Sequence, residues 1–166
     1  PDTVAADDLI IRVNLVLTAV FAVTASYAAA VFSTTAQWVG AVTAMILFAI
    51  GVCAFLWSYW SAVQRSRSHE ISVTQLYLLM GDAIPAPVRR TMNLTLVMQF
   101  LIATITTFAR PNGPDGNPGS SLAVGFLVPM LGFGLNGMWA AAHGNFATRT
   151  KLPPSTTEIR QNADHG

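Results

Sequence analysis

The stretch QRSRSHEISVTQLYLLMGDAIPAPVRR, residues 64–90, separates two long apolar halves of a 166-residue chain. The whole chain is 52% hydrophobic and only 10% charged, with a mean hydropathy of +0.49. A soluble domain carries about 25% charged residues, so lipid must be the solvent for much of this chain. The polar stretch therefore determines how the two halves are placed across a membrane. It holds four of the nine basic residues, which are Arg65, Arg67, Arg89 and Arg90.

Four apolar runs are long enough to cross a membrane as helices. They are predicted at residues 9–32, 38–63, 92–109 and 122–142. At about 1.5 Å per residue, even the shortest run approaches the hydrocarbon thickness of about 30 Å. We therefore predict an all-α integral membrane protein with four transmembrane helices in two antiparallel hairpins. A signal peptide is the alternative for 9–32, because Ala28–Ala30 resemble a cleavage site, but the acidic lead-in and the length of the run favour a true span.

The segments around the spans are short or polar. Residues 33–37 are predicted to form a tight turn, and residues 111–121 a loop rich in Pro, Gly, Asn and Asp. Residues 1–8 are expected to be a disordered or docked acidic lead-in, and residues 143–166 a polar cytoplasmic tail. Pro129 is expected to kink the fourth span, since proline lacks the backbone donor that a helix interior uses.

The central connection 64–90 contains an apolar strip at residues 71–80. Ten residues of helix cover only about 15 Å, which is too short to cross a bilayer. We predict a short cytoplasmic helix at 71–80 that lies at the membrane interface. Pro85 and Pro87 are predicted to keep a helix from running continuously into the third span.

The distribution of charge predicts which side faces the cytoplasm. With four spans, the termini, the central connection and the tail share one side. Eight of the nine basic residues lie there, namely Arg12, Arg65, Arg67, Arg89, Arg90, Arg149, Lys151 and Arg160. Only Arg110 lies on the other side. The positive-inside rule therefore places both termini in the cytoplasm.

Small and polar residues recur at a spacing of four in three of the spans, where close helix approach requires them. We call these sets the first-span, third-span and fourth-span ridges. They are Asn14, Thr18, Ala22, Ser26 and Ala30; Thr91, Thr95, Gln99, Ala103 and Thr107; and Gly132, Asn136, Ala140 and Gly144. Either all three ridges hold the four helices together, or at least one faces a different subunit. Inter-helix hydrogen bonding is the predicted role of the amides at depth, Asn14, Asn93, Gln99 and Asn136.

The residue types favour no catalytic, metal or cofactor site. Residues 132–137 match GxGxxG but lie inside a span and follow no strand, so close packing explains the glycines better than dinucleotide binding. Only His143 of the three histidines lies at the end of a span, which argues against a haem held between membrane histidines. The single cysteine, Cys53, excludes a disulfide within the chain. The absence of a basic run argues against nucleic-acid binding.

The stretches IIRVNLVLTAVFAVTASY, residues 10–27, and GLNGMWAAAHGNFATRTKLPP, residues 134–154, resemble a known family. Together with the chain length, the two hairpins and the 64–90 connection, they are similar to the mycobacterial prokaryotic respiratory supercomplex association factors. The resemblance implies an accessory subunit beside cytochrome bcc or the aa3 oxidase. It also implies a bacterial inner membrane, with haem and copper only in those partner subunits and no catalytic residues in this chain. Bound membrane lipids are expected as well.

Two functions remain open on the sequence. The first is a non-catalytic assembly or stabilising subunit, with a docking surface at Arg65, Arg67, Arg89 and Arg90 and in the tail. The second is a small self-assembling transporter or channel, in which stripes of Thr and Asn line a wet path. The spans contain no Asp, Glu or Lys, which argues against proton-coupled transport.

Overall fold

The computed structural model describes residues 2–66, 71–81, 84–117 and 119–148. All regular secondary structure in this part of the chain is helical. It consists of α1 (Asp2–Val31), α2 (Thr34–Arg65), α3 (Val73–Tyr77), α4 (Ala86–Ala109), a 3₁₀ helix (Ser121–Leu127) and α5 (Pro129–His143). Four helical stretches are long and apolar enough to span a membrane: Leu9–Val31, Thr34–Arg65, Ala86–Ala109 and Ser121–His143. The prediction of an all-helical chain with four helices long and apolar enough to span a membrane is confirmed.

The first helix begins earlier than predicted. α1 starts at Asp2, so residues 2–8, which we expected to be a disordered or docked acidic lead-in, belong to the helix. No helix breaker interrupts this stretch, since neither Pro nor Gly occurs between Asp2 and Val31.

The turn between α1 and α2 is shorter than the predicted 33–37. It consists of Phe32, whose backbone is left-handed at φ +48°, and Ser33. The Ser33 side chain accepts a hydrogen bond from the Ala36 backbone N–H at 3.2 Å. An N-cap serine of this kind satisfies one of the donors left free at a helix start, so α2 begins at Thr34.

The third span is also longer than the predicted 92–109, because α4 begins at Ala86. Pro85 is the N-cap residue and Pro87 lies in the first turn. Backbone donors in the first turn have no partner within the helix, so a proline there costs no hydrogen bond. As a result, Arg89 and Arg90 belong to the start of α4 and not to the connection before it.

At Pro129, where we predicted a kink in the fourth span, the type of helix changes. The residues before it form the 3₁₀ helix, in which the Val128 N–H bonds to the Gly125 carbonyl at 3.0 Å. Pro129 is then the first residue of α5, where its missing donor is again tolerated.

The helix predicted at 71–80 is only five residues long, Val73–Tyr77. It starts with a capping box between Ser72 and Gln75. It ends because Leu79 adopts a left-handed backbone at φ +53°, a position that usually favours glycine. Leu76, Tyr77 and Leu79 are buried, so the apolar side of this segment packs inward on the bundle. Its position at a membrane interface stays a prediction.

The centre of the molecule is α5. Helices α2, α3 and α4 all contact it, and α1 packs against both α2 and α4. We compared the most apolar 18-residue stretch of each span. In the fourth span 56% of these residues are buried, but in the first span only 17% are. The fourth span is therefore enclosed by protein, whereas most of α1 faces outward.

Candidate functional site

The closest helix contact lies between α2 and α5, at Gly51 and Gly134. A Cβ atom added to Gly51 would lie 2.5 Å from the backbone nitrogen of Leu131. One added to Gly134 would overlap the carbonyl oxygen of Gly51. Further along, Gly137 leaves room for the Ser58 hydroxyl and the Tyr77 ring. Of the glycines in the GxGxxG match, Gly134 lets two helices touch through their backbones, whereas Gly132 and Gly137 make room for side chains.

A cluster of polar side chains joins α1 to α4. Gln99 Nε2 donates to Thr18 Oγ1 at 2.7 Å and to Asn14 Oδ1 at 3.4 Å. Asn14 and Gln99 are fully buried, and Thr18 is 9% exposed. Hydrogen bonds of this type between membrane helices contribute about 0.6 to 2 kcal/mol each. The first-span and third-span ridges thus meet at these three residues.

The first-span ridge is buried near the start of α1 and exposed near its end. Residues four apart on an α-helix are offset by about 40°, so Ser26 is turned about 120° from Asn14. Ala22 is half-buried, while Ser26 and Ala30 are exposed. The inward face is instead continued by Phe21, Ala25 and Ala28, which are buried. A spacing of four therefore does not describe one face of this helix over its whole length.

The other two ridges stay buried over more of their length. Thr95, Gln99 and Ala103 on α4 are buried, and Thr91 and Thr107 are half-buried. All four members of the fourth-span ridge are buried: Gly132, Asn136, Ala140 and Gly144. These ridges face the interior because α5 has neighbours on nearly every side.

A second amide cluster holds the end of α3. Asn136 Nδ2 donates to the Tyr77 carbonyl at 3.0 Å and to Asn93 Oδ1 at 3.2 Å. Asn93 Nδ2 in turn donates to the Leu78 carbonyl at 2.7 Å. Carbonyls at the end of a helix lack partners within it, so amides from α4 and α5 take over that role. The connection between the second and third spans is thereby fixed to the bundle.

Tyr77 is a contact residue that the sequence pattern did not single out. Its ring stacks on Phe55 of α2 with centroids 4.4 Å apart. Its hydroxyl lies beside Ser58, and burial raises the pKa of the phenol above its usual value. Only its position in the apolar strip indicated burial.

Two arginines cap the C-terminal ends of neighbouring helices. Arg65, at the end of α2, donates to the Ala141 carbonyl at 2.6 Å and the Gly144 carbonyl at 3.4 Å. Arg110, after α4, donates to the Ala29 carbonyl at 3.1 Å. Each guanidinium also lies over a phenylalanine ring, Phe146 for Arg65 and Phe32 for Arg110. A cation at this end of a helix complements the helix dipole.

The arginines predicted as docking residues differ in their surroundings. Arg65 is half-buried in its contacts with the end of α5, and Arg89 donates to the Gly81 carbonyl at 2.9 Å. Both therefore have contacts within the chain that we did not predict. Arg90 is exposed on α4, and Arg67 lies outside the described residues. Roles of these arginines in docking and topology stay predictions.

Within the described residues, no group of three or more His, Cys, Asp or Glu side chains is placed to hold a metal ion. Cys53 is exposed on α2. The buried polar groups described above instead join helices to one another. Comparison of the chain with protein families, curated proteins and solved structures finds no match.

Proposed function

We propose that this chain is an accessory subunit, without catalysis of its own, of a larger complex in a bacterial inner membrane. The cytochrome bcc–aa3 supercomplex is the best candidate, because the chain resembles the association factors of that assembly. The proposal rests on one observation: Ser26 and Ala30 of the first-span ridge are exposed on the outside of the bundle.

Exposed small residues on a membrane helix indicate a contact surface, because they allow another helix to approach closely. The contacts of α1 within its own bundle use Phe21, Ala25 and Ala28, which are buried. Ser26 and Ala30 lie on a different face and are exposed. This second face fits a helix of a partner subunit. It supports the interpretation in which at least one ridge faces a different subunit.

The proposed topology has both termini in the cytoplasm and two antiparallel hairpins, α1–α2 and α4–α5. The two-residue turn after α1 and the close approach of Gly40 to Ala28, where a Cβ would lie at 3.0 Å, support the first hairpin. Charge supports the orientation, since the positive-inside rule counts residues near span ends. The described arginines at the proposed cytoplasmic end are Arg12, Arg65, Arg89 and Arg90. Arg110 marks the other end, and α3 would lie at the cytoplasmic interface.

The test of the partner face is a double substitution, Ser26→Leu with Ala30→Leu, in the chain expressed in its native membrane. After mild solubilisation, we expect the larger subunits that co-purify with the natural chain to be lost. Ala49→Leu is the matched control, because Ala49 is an exposed small residue on α2. Equal recovery of partners with the double variant and the control would contradict the proposal.

Two further measurements separate this function from a self-assembling transporter. A visible absorption spectrum of the co-purified sample should show haem bands if the partners are respiratory subunits. Reconstituted alone in liposomes, the chain should give no solute flux above that of empty vesicles. A chain that purifies without partners and supports flux by itself would establish the transporter instead.

A further inference from the structure

An open groove runs along the outside of the α1/α4 contact. Its volume is about 390 Å³, and Arg90 lies at one end of it. Its apolar lining comes from both helices: Leu15, Ala19 and Ala22 on α1, and Leu94, Met98 and Ile102 on α4. The groove exists because the α1 side presents small residues where a larger side chain would close it.

Arg90 also borders a second hollow of about 490 Å³, which adjoins the groove at Leu94. Arg89, Gly81 and Asn93 line this hollow with it. No acidic side chain occurs among the described residues that line either space. The apolar groove and the hollow therefore share Arg90 and Leu94, and two guanidinium groups border the hollow.

The depth of these features matches one leaflet of a bilayer. Arg90 and Arg110 are twenty residues apart on one helix, or about 30 Å, which is the thickness of the hydrocarbon core. Arg90 thus lies at one hydrocarbon boundary. From Arg90 to Ile102 the groove covers about 18 Å, slightly more than half of that thickness. It extends from the level of the headgroups to about the middle of the membrane.

Electrostatics also favours an anion here. Arg89 and Arg90 lie near the N-terminus of α4, where the partial positive charge of the helix dipole disfavours cations. A phosphate placed between them would be attracted by both guanidinium groups and by the helix end.

We propose that this groove binds one anionic phospholipid, with an acyl chain between α1 and α4 and the phosphate at Arg90 and Arg89. The site is independent of the proposed partner face, since Ser26 and Ala30 lie in the opposite half of the membrane. The bound lipid would fill the side of the α1/α4 contact that protein leaves open.

The test is native mass spectrometry of the full chain in a non-ionic detergent, titrated with dioleoylphosphatidylglycerol or dioleoylphosphatidylcholine. We expect one retained phosphatidylglycerol and weaker retention of phosphatidylcholine. Arg90→Gln should weaken phosphatidylglycerol binding about fivefold, as expected for one arginine at the membrane surface. Arg110→Gln is the charge-matched control at the other end of α4 and should leave binding unchanged.

The acyl part of the site is tested by Ala19→Leu, which fills the groove at an exposed position. We expect it to reduce phosphatidylglycerol binding, while Ala49→Leu does not. Free glycerol phosphate should compete poorly, because it lacks the acyl chain.

Three results would overturn the proposal: unchanged binding in Arg90→Gln, unchanged binding in Ala19→Leu, or equal affinity for glycerol phosphate. Loss of a dimer in Ala19→Leu, with lipid binding intact, would assign the groove to a second copy of the chain. Unchanged circular dichroism spectra would establish that each variant is folded.

Discussion

The helix pairs α2/α5 and α1/α4 are held together by different contacts. α2 and α5 touch through backbone at Gly51 and Gly134, with no room for a Cβ atom. α1 and α4 are joined by the hydrogen bonds of Gln99 to Asn14 and Thr18. The first contact leaves no space beside it, whereas the second borders the open groove.

This difference shows two ways to join helices where lipid removes the hydrophobic force between them. Contact through glycine depends on shape and tolerates no added volume. Contact through amides depends on a few directed bonds and allows the helix surfaces to diverge elsewhere. A bundle that combines them has a rigid centre around α5 and a more adaptable side at α1.

The largest effect is expected from Gly134→Leu, because the new side chain would collide with the backbone of α2. Overpacking of a close contact costs about 1–3 kcal/mol, occasionally more, and we expect a loss of about 3 kcal/mol. Unfolding in mixed detergent micelles, followed by circular dichroism, measures it. Ala142→Leu, at an exposed position on α5, is the control and should be nearly neutral. Similar stability of both variants would show that the α2/α5 contact is not close.

Asn136→Leu tests whether α5 also depends on amide chemistry. The substitution removes the donor to the Tyr77 carbonyl and to Asn93, and a buried polar group left without a partner costs about 1–3 kcal/mol. We expect a loss of about 2 kcal/mol together with faster proteolysis in the connection that follows α3. Asn145→Leu, at an exposed site beyond α5, provides the comparison. If the connection is cleaved no faster, the cluster does not fix it.

Gln99→Leu addresses the α1/α4 pair directly and should cost about 1 kcal/mol, in line with measured hydrogen bonds between membrane helices. A double-mutant cycle with Thr18→Val isolates the pair, because Gln99 donates to that hydroxyl at 2.7 Å. We expect a coupling energy of about 0.6 kcal/mol or more. If the effects of the two substitutions are additive, the hydrogen bond between Gln99 and Thr18 does not stabilise the α1/α4 contact.

The smallest effects are expected at the two arginine caps. Arg65→Gln should lower stability by about 0.5 kcal/mol, since the half-buried guanidinium contacts two carbonyls at the end of α5. Arg110→Gln should cost less, because that side chain is exposed and contacts one carbonyl. Both are measured by unfolding at low and high salt. The order would be contradicted if Arg110→Gln proved the more destabilising substitution.

The sequence predicted the four spans because hydropathy over about twenty residues depends little on tertiary contacts. The boundaries were less predictable, since Pro87 and Pro129 break a helix only in its interior and both occupy a first turn here. The spacing rule that selected Ser26 ignored the rotation of a helix face by about 40° every four residues. A count of 3.6 residues per turn would have pointed to Phe21, Ala25 and Ala28.

The long-range contacts could not be predicted in the same way. Arg65 reaches the Ala141 carbonyl, 76 residues further along the chain, and no local pattern records that distance. The predicted docking role of Arg65 was based on charge alone, which does not distinguish an exposed arginine from one that caps a helix. The amides Asn93 and Asn136 were recognised as polar groups at depth. That they bind the end of α3 depends on how α4 and α5 pack.

The position of α5 has a consequence for how the protein is made. Helices enter the membrane in the order of their synthesis, so α1, α2 and α4 precede the helix that occupies the centre. Until α5 is made, Gly51 on α2 has no backbone beside it. The α2/α5 pair therefore cannot form before then, although the α1/α4 pair can. The final packing must therefore form after insertion, by movement of the earlier helices around the last one. The α2/α5 contact thus belongs to the last stage of assembly, after the other spans have been made.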